Sequence, residues 1–299
     1  MTAAAAEPQS FTAGAGLAIR GESVGEGPAV VLCHGITATR RYVLHGSRAL
    51  ERAGHAVVSY DARAHGESDP APAGQGYEYP EMVGDLESVV AATVGEERFV
   101  LAGHSMGAHT AVAYALAHLE RLAGLVLIGP VYTAEKPASA VPLPHIRGSR
   151  NSGAIGGGAV AYWDGLADAL EGGGVDGFVE YIARFQGIDP SWRDTVLRFT
   201  RERMLLHRHL GALAEALRQV PRSRPFETME ELEAVEVPTL VVASHDAADP
   251  GHPYEVAHAY AARLPQARLI GEAPGESPLA WQGGRLSREI AAFCAEVSD

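Results

Sequence analysis

Apolar and polar positions follow two rhythms along this chain. Short, almost uninterrupted apolar runs at 30–34, 56–60, 99–102 and 124–128 read as strands covered on both faces. Longer stretches between them, at 38–53, 79–94 and 106–118, read as helices. This alternation predicts a mostly parallel, doubly wound α/β sheet. The rhythm stops at residue 131. From there to 236 nothing reads as a strand. Residues 137–158 form a loop rich in Pro, Gly and Ser, followed by helices near 159–170, 175–184, 191–206 and 210–220. Strands resume at 239–243 and 268–271, with helices at 254–264 and 285–297. The expected organisation is a core built from 1–130 and 237–299, with a helical insertion at 131–236. There is no internal repeat.

Composition narrows the class without naming a reaction. A chain of 299 residues, 46% hydrophobic and 20% charged, can bury one large core or two modest ones. No apolar run is long enough to span a bilayer. Residues 1–10 are small and polar, with neither a basic stretch nor an apolar centre, and read as a loose tail rather than a secretory signal. Cys33 falls in an expected buried strand and Cys294 in the last helix, so a disulfide framework is not expected and a cytoplasmic location is. A formal net charge of −13 speaks against nucleic acid and against anionic membranes. The expected partner is a small-molecule substrate, with a homo-oligomer left open. No phosphate loop follows the first strand, and His207 and His209, two apart, would face different sides of a helix. No metal and no cofactor are implied.

The sharpest local signal is Gly103-His104-Ser105-Met106-Gly107, set between a strand and an alanine-rich helix. A serine on a strand-to-helix turn needs glycine two residues to either side, because a Cβ there would strike the turn. The helix N-terminus then aims free N–H groups at the serine, where an oxyanion would form. Ser105 is the expected nucleophile.

Three further segments join this motif in order: Val30-Val31-Leu32-Cys33-His34-Gly35, then Asp61-Ala62-Arg63-Ala64-His65-Gly66-Glu67-Ser68, and late in the chain Thr239-Leu240-Val241-Val242-Ala243-Ser244-His245-Asp246. Together they resemble the α/β-hydrolase family, in its esterase, lactonase and haloperoxidase-like branch, from about Leu17 to the C-terminus. The resemblance implies that 131–236 is a cap over the pocket. It makes the N–H groups of Ile36 and Met106 the oxyanion donors, and puts His34, His65 and His104 around the pocket floor, with His34 and His104 as substrate contacts. It makes Asp246 the acid, with Asp249 as rival.

The departure lies in the base. The family places His after its eighth strand in a segment like Gly-His-Ser-Pro, whereas this chain reads Gly275-Glu276-Ser277-Pro278, and no His follows His258. A carboxylate of ordinary pKa, about 4.3, is a weak base unless its environment raises it. His252, in the loop Asp246-Ala247-Ala248-Asp249-Pro250-Gly251-His252-Pro253, is the other candidate. The expected activity is a serine hydrolase of small esters, lactones or thioesters with a relocated base. The alternatives are a non-hydrolytic enzyme of this fold and a small-molecule-binding pseudo-enzyme. An Asp nucleophile, as in epoxide hydrolases, is excluded by serine at 105.

Overall fold

The computed structural model describes residues 7–14, 16–133, 158–184, 189–245 and 248–297. Eight strands form one sheet: β1 (Gln9–Ala13), β2 (Ile19–Val24), β3 (Ala29–Cys33), β4 (Ala56–Tyr60), β5 (Phe99–His104), β6 (Leu122–Ile128), β7 (Thr239–Val242) and β8 (Ala267–Ile270). Their spatial order is β1-β2-β4-β3-β5-β6-β7-β8, antiparallel from β1 to β4 and parallel from there on.

The continuous apolar runs have a direct cause. Val31, Cys33, Leu101, Leu125, Leu127 and Val241 point to one side of the sheet, into a core shared with α2 (Tyr79–Thr93), α3 (Met106–Ala117) and α7 (Tyr254–Arg263). Val30, Leu32, Val100, Ala102, Val126 and Leu240 point to the other, against α1 (Ala49–Arg52) and α8 (Gly283–Val297). Both faces of each central strand are therefore covered.

Two expectations are corrected here. Residues 9 and 10 are not tail: Gln9 and Ser10 pair with Ser23 and Glu22. Strand β1 buries only Ala13 and lies at the sheet edge, so it carries almost no pattern. The helix expected at 38–53 shrinks to Ala49–Arg52. Tertiary partners take the chain before it: the Arg40 N–H donates to the Asp61 carboxylate at 2.8 Å, and Thr37 and His45 adopt positive φ of 66° and 48°.

Between β6 and β7 lie α4 (Gly158–Ala183), α5 (Arg193–Met204) and α6 (Leu210–Gln219). Helix α4 joins two expected helices across a kink at Gly174, where φ is 58° and ψ −150°. These helices share their own core of Leu166, Leu170, Phe178, Met204, Leu213 and Leu217. The expected loop at 137–158 lies outside the described residues except at its last position. His207 ties the insertion to the core: its Nδ1 accepts the Gly66 N–H at 2.8 Å, and its Nε2–H donates to the Thr37 carbonyl at 3.1 Å. His207 is buried and lies between α5 and α6 rather than on a helix, where the sequence pattern put it. Among the described residues no helix is long and apolar enough to cross a membrane.

Candidate active site

Ser105 stands on the turn between β5 and α3 with φ 53° and ψ −114°, a backbone state that non-glycine residues rarely adopt. The flanking glycines make the turn fit. A Cβ on Gly103 would lie 2.1 Å from the Gly107 carbonyl oxygen, and one on Gly107 would lie 2.1 Å from the Cys33 carbonyl oxygen. Hydrogen bonds then hold the strained residue: its N–H donates to the Ile128 carbonyl at 2.9 Å, and its carbonyl accepts the His109 N–H at 3.1 Å.

The segment after β3 presses against this turn. A Cβ on Gly35 would approach the Ser105 Cβ to 3.2 Å and His104 Nδ1 to 2.9 Å. Ile36 and Met106 both line the cavity beside Ser105. As the first residue of α3, Met106 has no acceptor for its N–H within the helix.

The Asp61-to-Ser68 motif acts as a clamp behind this segment. Buried Asp61 accepts the Arg40 and Glu67 N–H groups at 2.8 and 3.0 Å and pairs with the Arg40 guanidinium. Gly66 must be glycine, since its Cβ would meet Asp61 Oδ2 at 2.2 Å with φ at 50°. Arg63 grips Asp85 through two bonds of 2.7 and 2.8 Å.

His34 belongs to the same scaffold. Its Nδ1–H donates to the Gly35 carbonyl at 2.8 Å and its Nε2 accepts the Ala62 N–H at 2.9 Å. Burial lowers it to about 4, and it is absent from the cavity wall. The expected substrate contact at His34 is thus corrected, because both ring nitrogens are spent on backbone. His104 does line the cavity, where burial and the neighbouring His252 lower it to about 3.

Asp249 and His252 come together in the loop after β7. His252 Nδ1 lies 2.7 Å from Asp249 Oδ1. The ring packs 4.9 Å from that of His104, and a Cβ on Gly129 (φ 54°) would lie 3.1 Å from it. His104 precedes the nucleophile, and Gly129 follows the carbonyl that holds the nucleophile's N–H. Burial pulls the His252 imidazole down, but the Asp249 carboxylate outweighs it and the net shift is upward. Burial pushes Asp249 up, and the His252 charge overturns this, leaving it below the usual carboxylate value. Both directions favour an ion pair.

Two candidates remain. Asp246 lies outside the described residues. Glu276 is exposed, pairs with Arg285 at 2.7 Å, and accepts the Ala273 N–H at 3.2 Å. These bonds hold its carboxyl below the ordinary value, the wrong direction for a base, and it does not line the cavity. The buried carboxylate near the end of β8 is Glu272, which accepts the Ser244 hydroxyl at 3.1 Å and the Leu279 N–H at 2.9 Å.

Core and insertion together enclose about 380 Å³. Among the aromatic residues of the insertion, Tyr162, Trp163 and Phe199 line this space. Phe178 is buried in the insertion's own core, Tyr181 packs on Tyr162 and Trp192 on Trp281, and Phe185 lies outside the described residues. Sequence reasoning passed over Tyr79, Arg203 and Trp281, which also line it. Tyr79 accepts a 2.8 Å bond from His109 Nδ1–H, because His109 Nε2 already takes the Val131 and Tyr132 N–H groups at 3.0 Å each. No local pattern marks any of the three.

A mostly parallel sheet, a serine on a strained turn and a helical insertion over the cavity define the α/β-hydrolase class. The chain belongs to the alpha/beta hydrolase fold family, whose model matches residues 28–283. It is 38% identical over 101 residues to epoxide hydrolase B of Mycobacterium tuberculosis (34% of this chain, 28% of that protein). It is 35% identical over 103 residues to the putative carbamate hydrolase RutD of Variovorax paradoxus (34% and 38%). The chain therefore spans well under two thirds of these relatives' lengths. In fold it is similar to a thermophilic esterase from Thermogutta terrifontis, with a TM-score of 0.70, 22% identity, and 98% of this chain and 100% of the other covered. It is likewise similar to the enol-lactonase of Burkholderia xenovorans, with a TM-score of 0.68, 18% identity, and 97% and 99% covered.

Proposed function

We propose that the protein is a serine hydrolase of small carboxylic esters, lactones or thioesters, with Ser105, His252 and Asp249 as its triad. The observation that carries this reading is the 2.7 Å Asp249–His252 contact on the wall of the cavity that also exposes Ser105. With Nδ1–H engaged by Asp249, the Nε2 lone pair is left to receive the serine proton.

Ser105 Oγ attacks the carbonyl carbon as its proton passes to His252 Nε2. The Met106 and Ile36 N–H groups receive the oxyanion. The tetrahedral intermediate collapses, the alcohol or thiol leaves with the proton from His252, and an acyl-serine remains. Water, deprotonated by His252, then attacks the acyl carbon. Release of the acid returns the proton to Ser105.

Epoxide opening through an aspartyl ester, the reading the first relative's name suggests, lacks its nucleophile at position 105. The non-hydrolytic alternatives arose from the absence of a His after β8, and His252 beside Asp249 supports the hydrolase reading over them. The reading is tested by mass spectrometry after treatment with a fluorophosphonate. Stoichiometric modification at Ser105, lost in Ser105→Ala and strongly slowed in His252→Ala, is the expected result. No labelling of the folded wild type would refute it.

A further inference from the structure

Of the described residues lining the cavity, Arg203 on α5 is the one with a permanent positive charge. Its Nε is buried without a hydrogen-bond partner, and it makes no ion pair among the described residues. Arginines nearby are treated differently: Arg201 pairs with Asp176, Arg208 with Glu67, and Arg218 with both Asp168 and Glu171. Asp249 lies within electrostatic reach of Arg203 but is engaged by His252. The residue is half-buried, and its buried Nε–H without an acceptor costs free energy that an apolar residue there would not. A bound anion offsets that cost.

We infer that Arg203 is the anchor for a carboxylate on the substrate, so that the enzyme's acyl substrates carry a free acid group besides the bond to be cleaved. The inference rests on the hydrolase reading above and names its substrate class. One guanidinium supplies a planar pair of donors that matches one carboxylate. A phosphate dianion would leave negative charge beside Asp249, with no second permanent cation among the described residues of the wall. The anchor and the triad share one enclosure of about 380 Å³, so the carboxylate and the scissile carbonyl belong to one small molecule. Arg203 also acts on the charges of Asp249, His252 and His104, so an acid group held there lies within electrostatic reach of the triad. The phenols of Tyr42 and Tyr162 sit within reach of the same charge and complete a polar corner in an otherwise aromatic wall.

The test compares p-nitrophenyl hydrogen adipate with p-nitrophenyl hexanoate, which differ by a carboxylate in place of a terminal methyl, after subtraction of spontaneous hydrolysis. The wild type is expected to favour the adipate ester in kcat/KM by about tenfold or more. In Arg203→Met that ratio is expected to fall by about 10²-fold, with Arg203→Lys between the two. A binding measurement independent of turnover uses Ser105→Ala and adipate itself, followed by titration calorimetry. Binding that is lost in Ser105→Ala/Arg203→Met is expected. Cleavage of both esters with a ratio near or below one, unmoved by Arg203→Met, would overturn the carboxylate anchor and leave the hydrolase reading standing. Failure to cleave either ester, with Arg203-dependent adipate binding retained, would keep the anchor and remove the hydrolase reading. If Arg203→Met does not fold, the wild-type ratio and Arg203→Lys decide: no preference in the first and no change in the second refute the anchor.

Discussion

Asp249 Oδ1 and His252 Nδ1 meet at 2.7 Å although only Pro250 and Gly251 separate the two residues. The family pattern draws acid and base from two loops, one after β7 and one after β8. In the proposed triad a single loop supplies both, and the position after β8 is occupied by an exposed, ion-paired Glu276. One short turn carrying acid and base makes their relative geometry depend little on the rest of the sheet.

The first prediction follows for the base. His252→Ala is expected to lower kcat for an activated ester by a factor on the order of 10² or more, and Asp249→Asn by a similar factor, with circular dichroism unchanged. Glu276→Gln is expected to stay within about twofold of wild type. Equal rates in wild type and His252→Ala would sink the assignment.

Restoring the family's histidine makes a sharper contrast. Glu276 points to solvent and answers Arg285, so Glu276→His sets an imidazole outside the cavity wall. The expected outcome is no gain in hydrolysis of p-nitrophenyl acetate, and no rescue of His252→Ala when the two changes are combined. Rescue in the double variant would show that the loop after β8 reaches Ser105.

The pH profile carries a sign. His252 must be neutral to accept the serine proton, and Asp249 holds it above the ordinary imidazole value of 6.5. Activity is therefore expected to rise with pH and to level off above an apparent pKa higher than 6.5. In Asp249→Asn burial and the Arg203 charge remain, both of which lower it, so that pKa is expected to move down together with the plateau. Stability follows the same linkage. The His252 contribution is complete below about pH 6.5 and fades as pH rises through its raised value. The Asp249 contribution is complete above about pH 4 and fades as pH falls through its lowered value. The loss of Tm in Asp249→Asn is expected to be largest between these limits. A flat difference from pH 3 to 9 would contradict the ion pair.

The nucleophile turn predicts two opposite glycine effects. Gly107→Ala forces a Cβ to within 2.1 Å of the Cys33 carbonyl, which is backbone and cannot swing aside. A loss of about 3 kcal/mol in urea denaturation is expected, or failure to fold. Gly84, within α2, has nothing within 4 Å of its Cβ direction. Gly84→Ala is expected to stabilise by roughly 0.5–1 kcal/mol. Comparable effects at the two sites would refute the packing argument.

What the sequence determined by itself is local. Runs such as Val30-Val31-Leu32-Cys33 announced doubly covered strands, because burial on both faces removes every polar position. Gly103 and Gly107 announced the turn around Ser105, because the demand for a missing Cβ lies within five consecutive residues. Helix periodicity located the insertion between β6 and β7, and the break it placed before residue 175 coincides with the non-helical backbone at Gly174. Strand β1, at the edge with one buried residue, left no comparable trace. Neither did the tertiary bonds that replace a helix around Arg40, since Asp61 acts on it from another segment. The chemistry divides the same way. The spacing of Asp249 and His252 was visible, but nothing local distinguished that pair from Asp246 or Glu276. The observation that favours it is tertiary: His252 rests on His104 and Gly129, which stand at the C-terminal ends of β5 and β6. Arg203 illustrates the limit. Within Arg201-Glu202-Arg203 it reads as one more charge on a solvated helix. It becomes a cation on the cavity wall only because the insertion's own core, through Leu197 and Met204, turns another side of α5 inward.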